Sequence, residues 1–221
     1  MKMKKNPRLS IFDTFKTKST ELTGEANRQR AIIVTLATMP SPADRTRTAL
    51  SQKIAQENGI IWKNIYSGIF RDLDEILIPL EIVEEDGRLP LKRGPKALQE
   101  KGIPYYRLSK KGMLVALSLD EIIGRDVLFE HFFSILEKQE QEAIMMLKEI
   151  SKFAPRFCYS FIEKYVRGFC NGELELVPFS ISNLKKTSDE AMLTQKEFLE
   201  GFLKLSKSEK ENVINFLNQL T

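Results

Sequence analysis

Histidine, cysteine and tryptophan are nearly missing from this 221-residue chain, which has one His, two Cys and one Trp. His131, Cys158 and Cys170 are too few soft ligands for a four-coordinate structural zinc site of the usual kind. The cysteines stand twelve apart in an aromatic-rich, helical-looking stretch and read as buried apolar filler, since a disulfide is uncommon in a reducing compartment. His131 lies between Phe129, Phe132 and Phe133, which suits a structural role better than proton transfer. Glycine-rich phosphate loops, serine elbows and H-E-x-x-H pairs are absent as well. No catalytic residue and no cofactor is assigned, and the chain reads as a non-enzyme. No run of about 18 uncharged apolar residues exists to span a bilayer. The basic start MKMKKNPRLS is not followed by the apolar stretch of a secretion signal. The expectation is a cytoplasmic protein with no membrane partner.

Charge is abundant but unevenly placed. From Met1 to Gly112 there are 21 Lys/Arg against 13 Asp/Glu, and from Met113 to Thr221 there are 13 against 17. A net of +8 followed by −4 suggests a basic binding module joined to a part with another task. Nucleic acid is the first partner such a module brings to mind, although many basic proteins bind none.

Periodicity organises the basic half. Residues 1–24 are polar and basic, with Ile11, Phe12 and Phe15 as their obvious anchors, and read as a flexible arm of which a part docks. A helix is predicted from Ala26 to Thr38, stopped before Pro40 and Pro42. Thr48 to Asn58 follows with Leu50, Ile54 and Ala55 as its buried stripe, closed by Asn58-Gly59. A third helix runs from Ile61 to about Glu75 on the row Ile61, Ile65, Ile69 and Leu73. Leu80 to Glu84 reads as a strand. Asp86 to Pro104 holds three Gly and three Pro and reads as a long loop. Tyr105 to Leu108 suits a returning strand, and Ser109 caps a helix through Leu117.

The second half is predicted all-helical apart from a strand-like ELELVPF. One long helix spans Asp126 to Phe153, with apolar residues on more than one face. Another starts at Arg156. Two more cover Asp189–Lys204 and Ser208–Leu220, the last with Ser208 and Glu211 as a capping box.

The order helix, helix, helix, strand, basic loop, strand, helix, and above all the phrase YYRLSKKG at Tyr105 to Gly112, resembles the winged helix-turn-helix superfamily. Within it the phrase is similar to the tyrosine-rich strand leading into a Ser/Thr-x-Lys-Gly turn of PadR-like and MarR-like transcriptional regulators. The resemblance covers about Ala26 to Leu117. It implies a fold that is mainly α with a small β-wing, residues 25–118 forming the nucleic-acid-binding domain. Residues 119–221 would then form a helical region for dimerisation or an effector.

A helix of this kind fits the major groove. Trp62, Lys63, Asn64 and Tyr66 would approach bases or flanking phosphates, with Ser67 one turn on and Arg71 nearer the backbone. Asn64 suits a paired contact to adenine, and Lys63 suits guanine acceptors or phosphate. Packing is the ordinary alternative for Trp62 and Tyr66, and a solvated face for Lys63 and Asn64. The wing carries Arg88, Lys92, Arg93, Lys96 and Lys101, opposed between Gly87 and Pro104 by Glu100 alone. Cations there would lie over phosphates or enter the minor groove. Arg45 and Arg47 would clamp the same backbone, with Thr46 and Thr48 capping the second helix and donating to a phosphate. Asp72, Asp74 and Glu75 would face away from DNA.

The function implied is a double-stranded DNA-binding transcriptional regulator. It would be a homodimer through its C-terminal half, with room for a small-molecule or protein effector. The competing reading is a winged-helix protein-interaction module serving as a scaffold in a larger complex, since fold alone does not fix function.

Overall fold

A computed structural model describes residues 7–57, 59, 62–91 and 94–220, apart from the side chains of a few helical residues among them. The chain is mainly helical, with two small antiparallel two-stranded sheets. Among the described residues no helix is long and apolar enough to cross a membrane.

The N-terminal residues from Pro7 onward are part of the fold, and the docked part of the expected arm includes Leu9 and Ile11. Leu9 and Ile11 are fully buried. The backbone N–H of Ser10 donates to the buried Gln29 amide oxygen at 2.8 Å, and Arg8 Nε donates to the Cys170 carbonyl at 3.1 Å. Ile11 is one of the anchors that the sequence offers, whereas Leu9, beside Arg8 and preceded by a basic run, is not among them. Strands β1 (Thr14–Phe15) and β2 (Lys18–Leu22) then form a short exposed hairpin.

Helix α1 (Gly24–Thr38) starts where Thr23 accepts from the Ala26 N–H at 3.1 Å. It buries Ile32, Ile33 and Leu36. A 3₁₀ turn, Pro42–Arg45, leads into α2 (Arg47–Glu57), which buries Leu50, Ile54 and Ala55 as its spacing predicts. Helix α3 (Trp62–Arg71) passes directly into a π-helical turn, Asp72–Leu77. The core row is real and extends further than predicted: Ile69, Leu73 and Leu77 are all fully buried. The widened turn carries a bond from the Ile78 N–H to the Leu73 carbonyl. Asp72, expected on the surface, is completely buried and accepts from Arg28 of α1 at 2.8 Å. A carboxylate is tolerated there because a cation goes in with it.

The next strand begins later and runs longer than its apolar content suggests. β3 (Val83–Leu89) pairs with β4 (Ile103–Leu108), and a short helix α4 (Lys96–Lys101) lies in the connection. Most of the predicted long loop is therefore regular structure. Ser109 caps α5 (Lys110–Leu117) by accepting from the Gly112 N–H at 3.1 Å.

The single long helix predicted for Asp126–Phe153 is two helices, α6 (Arg125–Ser134) and α7 (Lys138–Phe153). The break needs neither Gly nor Pro. Glu137 and Glu140 cap α7 reciprocally, and buried Glu140 accepts from Lys110 Nζ at 2.5 Å and from the Phe179 N–H at 3.0 Å. Helix α8 (Pro155–Cys170) follows. Leu174 and Leu176 are buried as the alternation of ELELVPF requires, and Phe179 is buried out of that register, yet no strand forms. The Tyr165 hydroxyl takes the Glu175 carbonyl at 3.0 Å in place of a neighbouring strand.

Leu114 to Leu119 are buried without interruption, and one core cluster runs from Leu9 to Phe179. The division expected near residue 118 does not coincide with a gap in this core. Helices α9 (Ile181–Lys185), α10 (Glu190–Lys204) and α11 (Lys207–Leu220) contribute no buried residue to it. The capping box of α11 uses Ser206 and Glu209, two residues earlier than predicted.

Candidate nucleic-acid interface

The β3–β4 hairpin is joined to the helices through one residue. Thr46 forms an isolated antiparallel bridge with Tyr105 of β4, and its hydroxyl accepts from the Ala49 N–H at 3.3 Å. The start of α2 is thus fixed to the hairpin, and Thr46 is the helix cap that the sequence suggests.

Arg45 and Arg47, on either side of that bridge, are both engaged within the chain. Arg45 pairs with Asp86 at 3.0 Å, donates to the Tyr106 carbonyl at 3.3 Å and stacks over the Tyr105 ring at 5.3 Å. Arg47 pairs with Asp74 and lies over the Phe70 and Tyr106 rings at 5.1 and 5.4 Å. Both guanidinium groups brace the hairpin against α2 and α3 instead of standing free. Asp74, expected to face away as part of an acidic cluster, is what holds Arg47. Burial pushes the Tyr106 hydroxyl above its usual pKa, against the pull of Arg47.

The hairpin itself carries more acid than the count from Gly87 to Pro104 suggested. Register pairs Glu84 with Arg107 across the strands, and their side chains bond at 2.7 Å. That bond, first among several influences, raises the Arg107 pKa. A bulge after Glu85 brings the Asp86 carboxylate between Arg45 and Arg107, the latter at 3.1 Å. Arg88 pairs with Glu85 at 2.6 Å. A basic wing stem is therefore not what the strands present, because Glu84, Glu85 and Asp86 match its arginines. Register decided this, and composition could not reveal it.

Lys96 and Lys101 are exposed at the two ends of α4, and neither has a carboxylate partner among the described residues. On α3, Ser67 and Arg71 are exposed, and Arg71 reaches Asp72 only at 3.6 Å. Tyr66 is half-buried with its ring 4.2 Å from that of Phe70, the packing alternative. Lys92 and Arg93 lie outside the described residues, as do the side chains of Trp62, Lys63 and Asn64. The surface left after intrachain pairing is cationic at the hairpin tip and hydrogen-bonding on α3. Such a surface can donate to anionic oxygens.

The groups considered for other chemistry sit elsewhere. Burial pushes the thiols of Cys158 and Cys170 up to about 11 and 12, so they stay protonated and poorly nucleophilic at neutral pH. His131 is exposed on α6, not packed among its phenylalanine neighbours. Among the described residues no group of three His, Cys, Asp or Glu is placed to hold a metal ion.

No protein-family model matches the chain, and no curated protein or solved structure matches it significantly.

Proposed function

We propose that this chain is a double-stranded DNA-binding protein of the winged helix-turn-helix type that acts as a transcriptional regulator. The observation that carries the reading is the Thr46–Tyr105 bridge. It fastens the start of α2 to β4 by a single antiparallel pairing, and Arg47, over the Phe70 and Tyr106 rings, extends the connection to α3. The order of elements from α1 to α5 agrees with that arrangement.

In this reading α3 enters the major groove. On the helical period, residues 63 and 64 stand one turn before Ser67 and two turns before Arg71. The former read bases, while Ser67 and Arg71 meet phosphate. Lys92, Arg93, Lys96 and Lys101, between β3 and β4 in sequence, neutralise backbone charge and fix register. Arg45, Arg47 and Arg88, already paired with Asp86, Asp74 and Glu85, act by positioning the wing and not as direct contacts.

Selection from a random duplex pool, with an RNA pool in parallel, tests the proposal. A defined duplex motif is the expected result. Enrichment of RNA alone, or of nothing, overturns it. The second reading, a winged helix used as a protein-interaction module, draws support from the carboxylates that neutralise β3 and β4, and a failed selection would move the assignment there.

A further inference from the structure

Arginine is scarce in the second half of the chain, and what there is converges. From Met113 to Thr221 there are ten Lys and three Arg, and all three arginines, Arg125, Arg156 and Arg167, line one cavity of about 350 Å³. Arg30 of α1 is the fourth cation in its wall. Packing brings them together. Helices α1, α6 and α8 each rest on α5, and Ser118, the C-terminal cap of α5, lies in the same wall.

The four guanidinium groups are not equivalent. Arg30 is held by Asp120 at 2.8 Å and Glu121 at 2.6 Å. Arg167 is held by Glu163 at 2.7 Å and lies over the Phe12 ring at 4.0 Å. Arg125 lies over the Tyr159 ring at 4.3 Å, but among the described residues neither it nor Arg156 pairs with a carboxylate. Both also stand where a helix disfavours a cation. Arg125 is the first residue of α6 and Arg156 the second of α8, and neither helix has a side-chain cap. A positive charge there opposes the helix dipole, whereas an anion is favoured. An anion held between the two arginines answers both the missing partners and the dipoles.

We propose that this cavity binds a small soluble phosphomonoester, with Arg125 and Arg156 taking its phosphate. Arginine presents its donors in a rigid fork that matches phosphate oxygens in pairs, which a lysine cannot do. That is a reason for arginine in a half of the chain that otherwise uses lysine. A phosphomonoester carries about 1.5 to 2 negative charges at pH 7, the complement of two unpaired guanidinium groups. Asp120 and Glu163 also line the wall, but each is engaged with Arg30 or Arg167 and holds that arginine in place. The volume falls in the range of about 300 to 1,000 Å³ usual for small-molecule sites, which leaves room for the body that carries the phosphate. None of these residues belongs to α3 or the β3–β4 hairpin, so the site does not rest on the DNA reading.

Isothermal titration calorimetry of the full chain at low salt tests this, with inorganic phosphate, ribose 5-phosphate, ribose and succinate as probes. Ribose 5-phosphate should bind once per chain with a dissociation constant below about 1 mM, phosphate more weakly and ribose not at all. Arg125→Gln and Arg156→Gln should each weaken ribose 5-phosphate at least about tenfold. Both should keep the circular dichroism and melting of the ligand-free protein, since neither breaks an ion pair. Arg156→Lys, which keeps the charge and loses the fork, should recover only part of the affinity. Failure of both phosphate probes to bind at about 10 mM overturns the proposal. Unchanged affinity in both glutamine variants overturns it as well. Succinate bound as tightly as ribose 5-phosphate overturns the phosphate assignment and gives the cavity to dicarboxylates. Flotation with phosphatidic acid vesicles without binding of the soluble probes gives the phosphate to a lipid headgroup instead. A flatter salt dependence of duplex binding in the two glutamine variants makes these arginines nucleic-acid contacts and also overturns the proposal.

Discussion

The carbonyl oxygen of Ile82 occupies the place a side chain at residue 112 would need: a β-carbon on Gly112 would lie 2.0 Å from it. That carbonyl also accepts from the Ser109 N–H at 3.1 Å, while the Ser109 hydroxyl donates to the Glu81 carbonyl. The first turn of α5 is thus laid directly on the chain entering β3. Backbone on backbone cannot shift as a flexible side chain can. Gly112→Ala should destabilise the protein by about 3 kcal/mol, the upper range for overpacking. Urea unfolding followed by circular dichroism measures this, and a loss under about 1 kcal/mol would contradict the geometry.

Glu140 gives the chain an acid-sensitive joint. Burial works to raise its pKa, but the bonds from Lys110 and from the N–H groups of Phe179 and Glu137 outweigh burial and hold it below the ordinary 4.5. The unfolded chain therefore takes up this proton more readily than the native one. The stabilisation is fully present above the unfolded value and is lost as pH falls from about 5 through the depressed native value. Glu140→Gln should flatten the decline of stability over that window. Lys110→Met, which strands the buried carboxylate, should cost about 3 kcal/mol at pH 7. Denaturation midpoints from pH 3 to 7 compare them.

Neutralising Lys92, Arg93 and Lys96 together should weaken binding to specific and random duplex alike. The plot of log affinity against log salt should flatten by about 0.9 for each phosphate that is no longer neutralised. Arg88→Ala, which removes a cation already paired with Glu85, should change that slope far less. Titrations at four salt concentrations separate the two. An unchanged slope in the triple variant would remove the tip from the interface.

Lys63→Ala and Asn64→Ala should alter preference at one or two base pairs more than they alter overall affinity. Removing a bidentate hydrogen-bond pair to a base costs roughly 1 to 3 kcal/mol of discrimination. Arg71→Ala should instead weaken all duplexes evenly. Repeating the duplex selection with each variant checks this, and an identical motif from Lys63→Ala and Asn64→Ala would mean that α3 does not read sequence.

Local signals were legible in the sequence where local chemistry decides the outcome. The cap at Ser109, the stripe Leu50, Ile54 and Ala55, and the row through Ile69 and Leu73 all emerge from spacing alone. What escaped was set by partners distant in sequence. The break before α7 depends on Lys110, 30 residues from Glu140. The fate of the wing arginines depends on strand register and a bulge. Burial of Asp72 depends on Arg28, 44 residues away. The α11 cap was misplaced for a different reason: Ser206/Glu209 and Ser208/Glu211 share one pattern, and only the end of α10 selects between them.

The strap formed by Arg8, Leu9 and Ile11 has a consequence for how the molecule is made. Arg8 donates to a carbonyl 162 residues downstream. At a synthesis rate of 5 to 20 residues per second, that acceptor leaves the ribosome roughly 8 to 32 s after Arg8 does. The Ser10 N–H meets its partner Gln29 of α1 only 19 residues on, so the segment can be seated on that side early. The newborn body is finished only when Arg8 reaches the late helix α8.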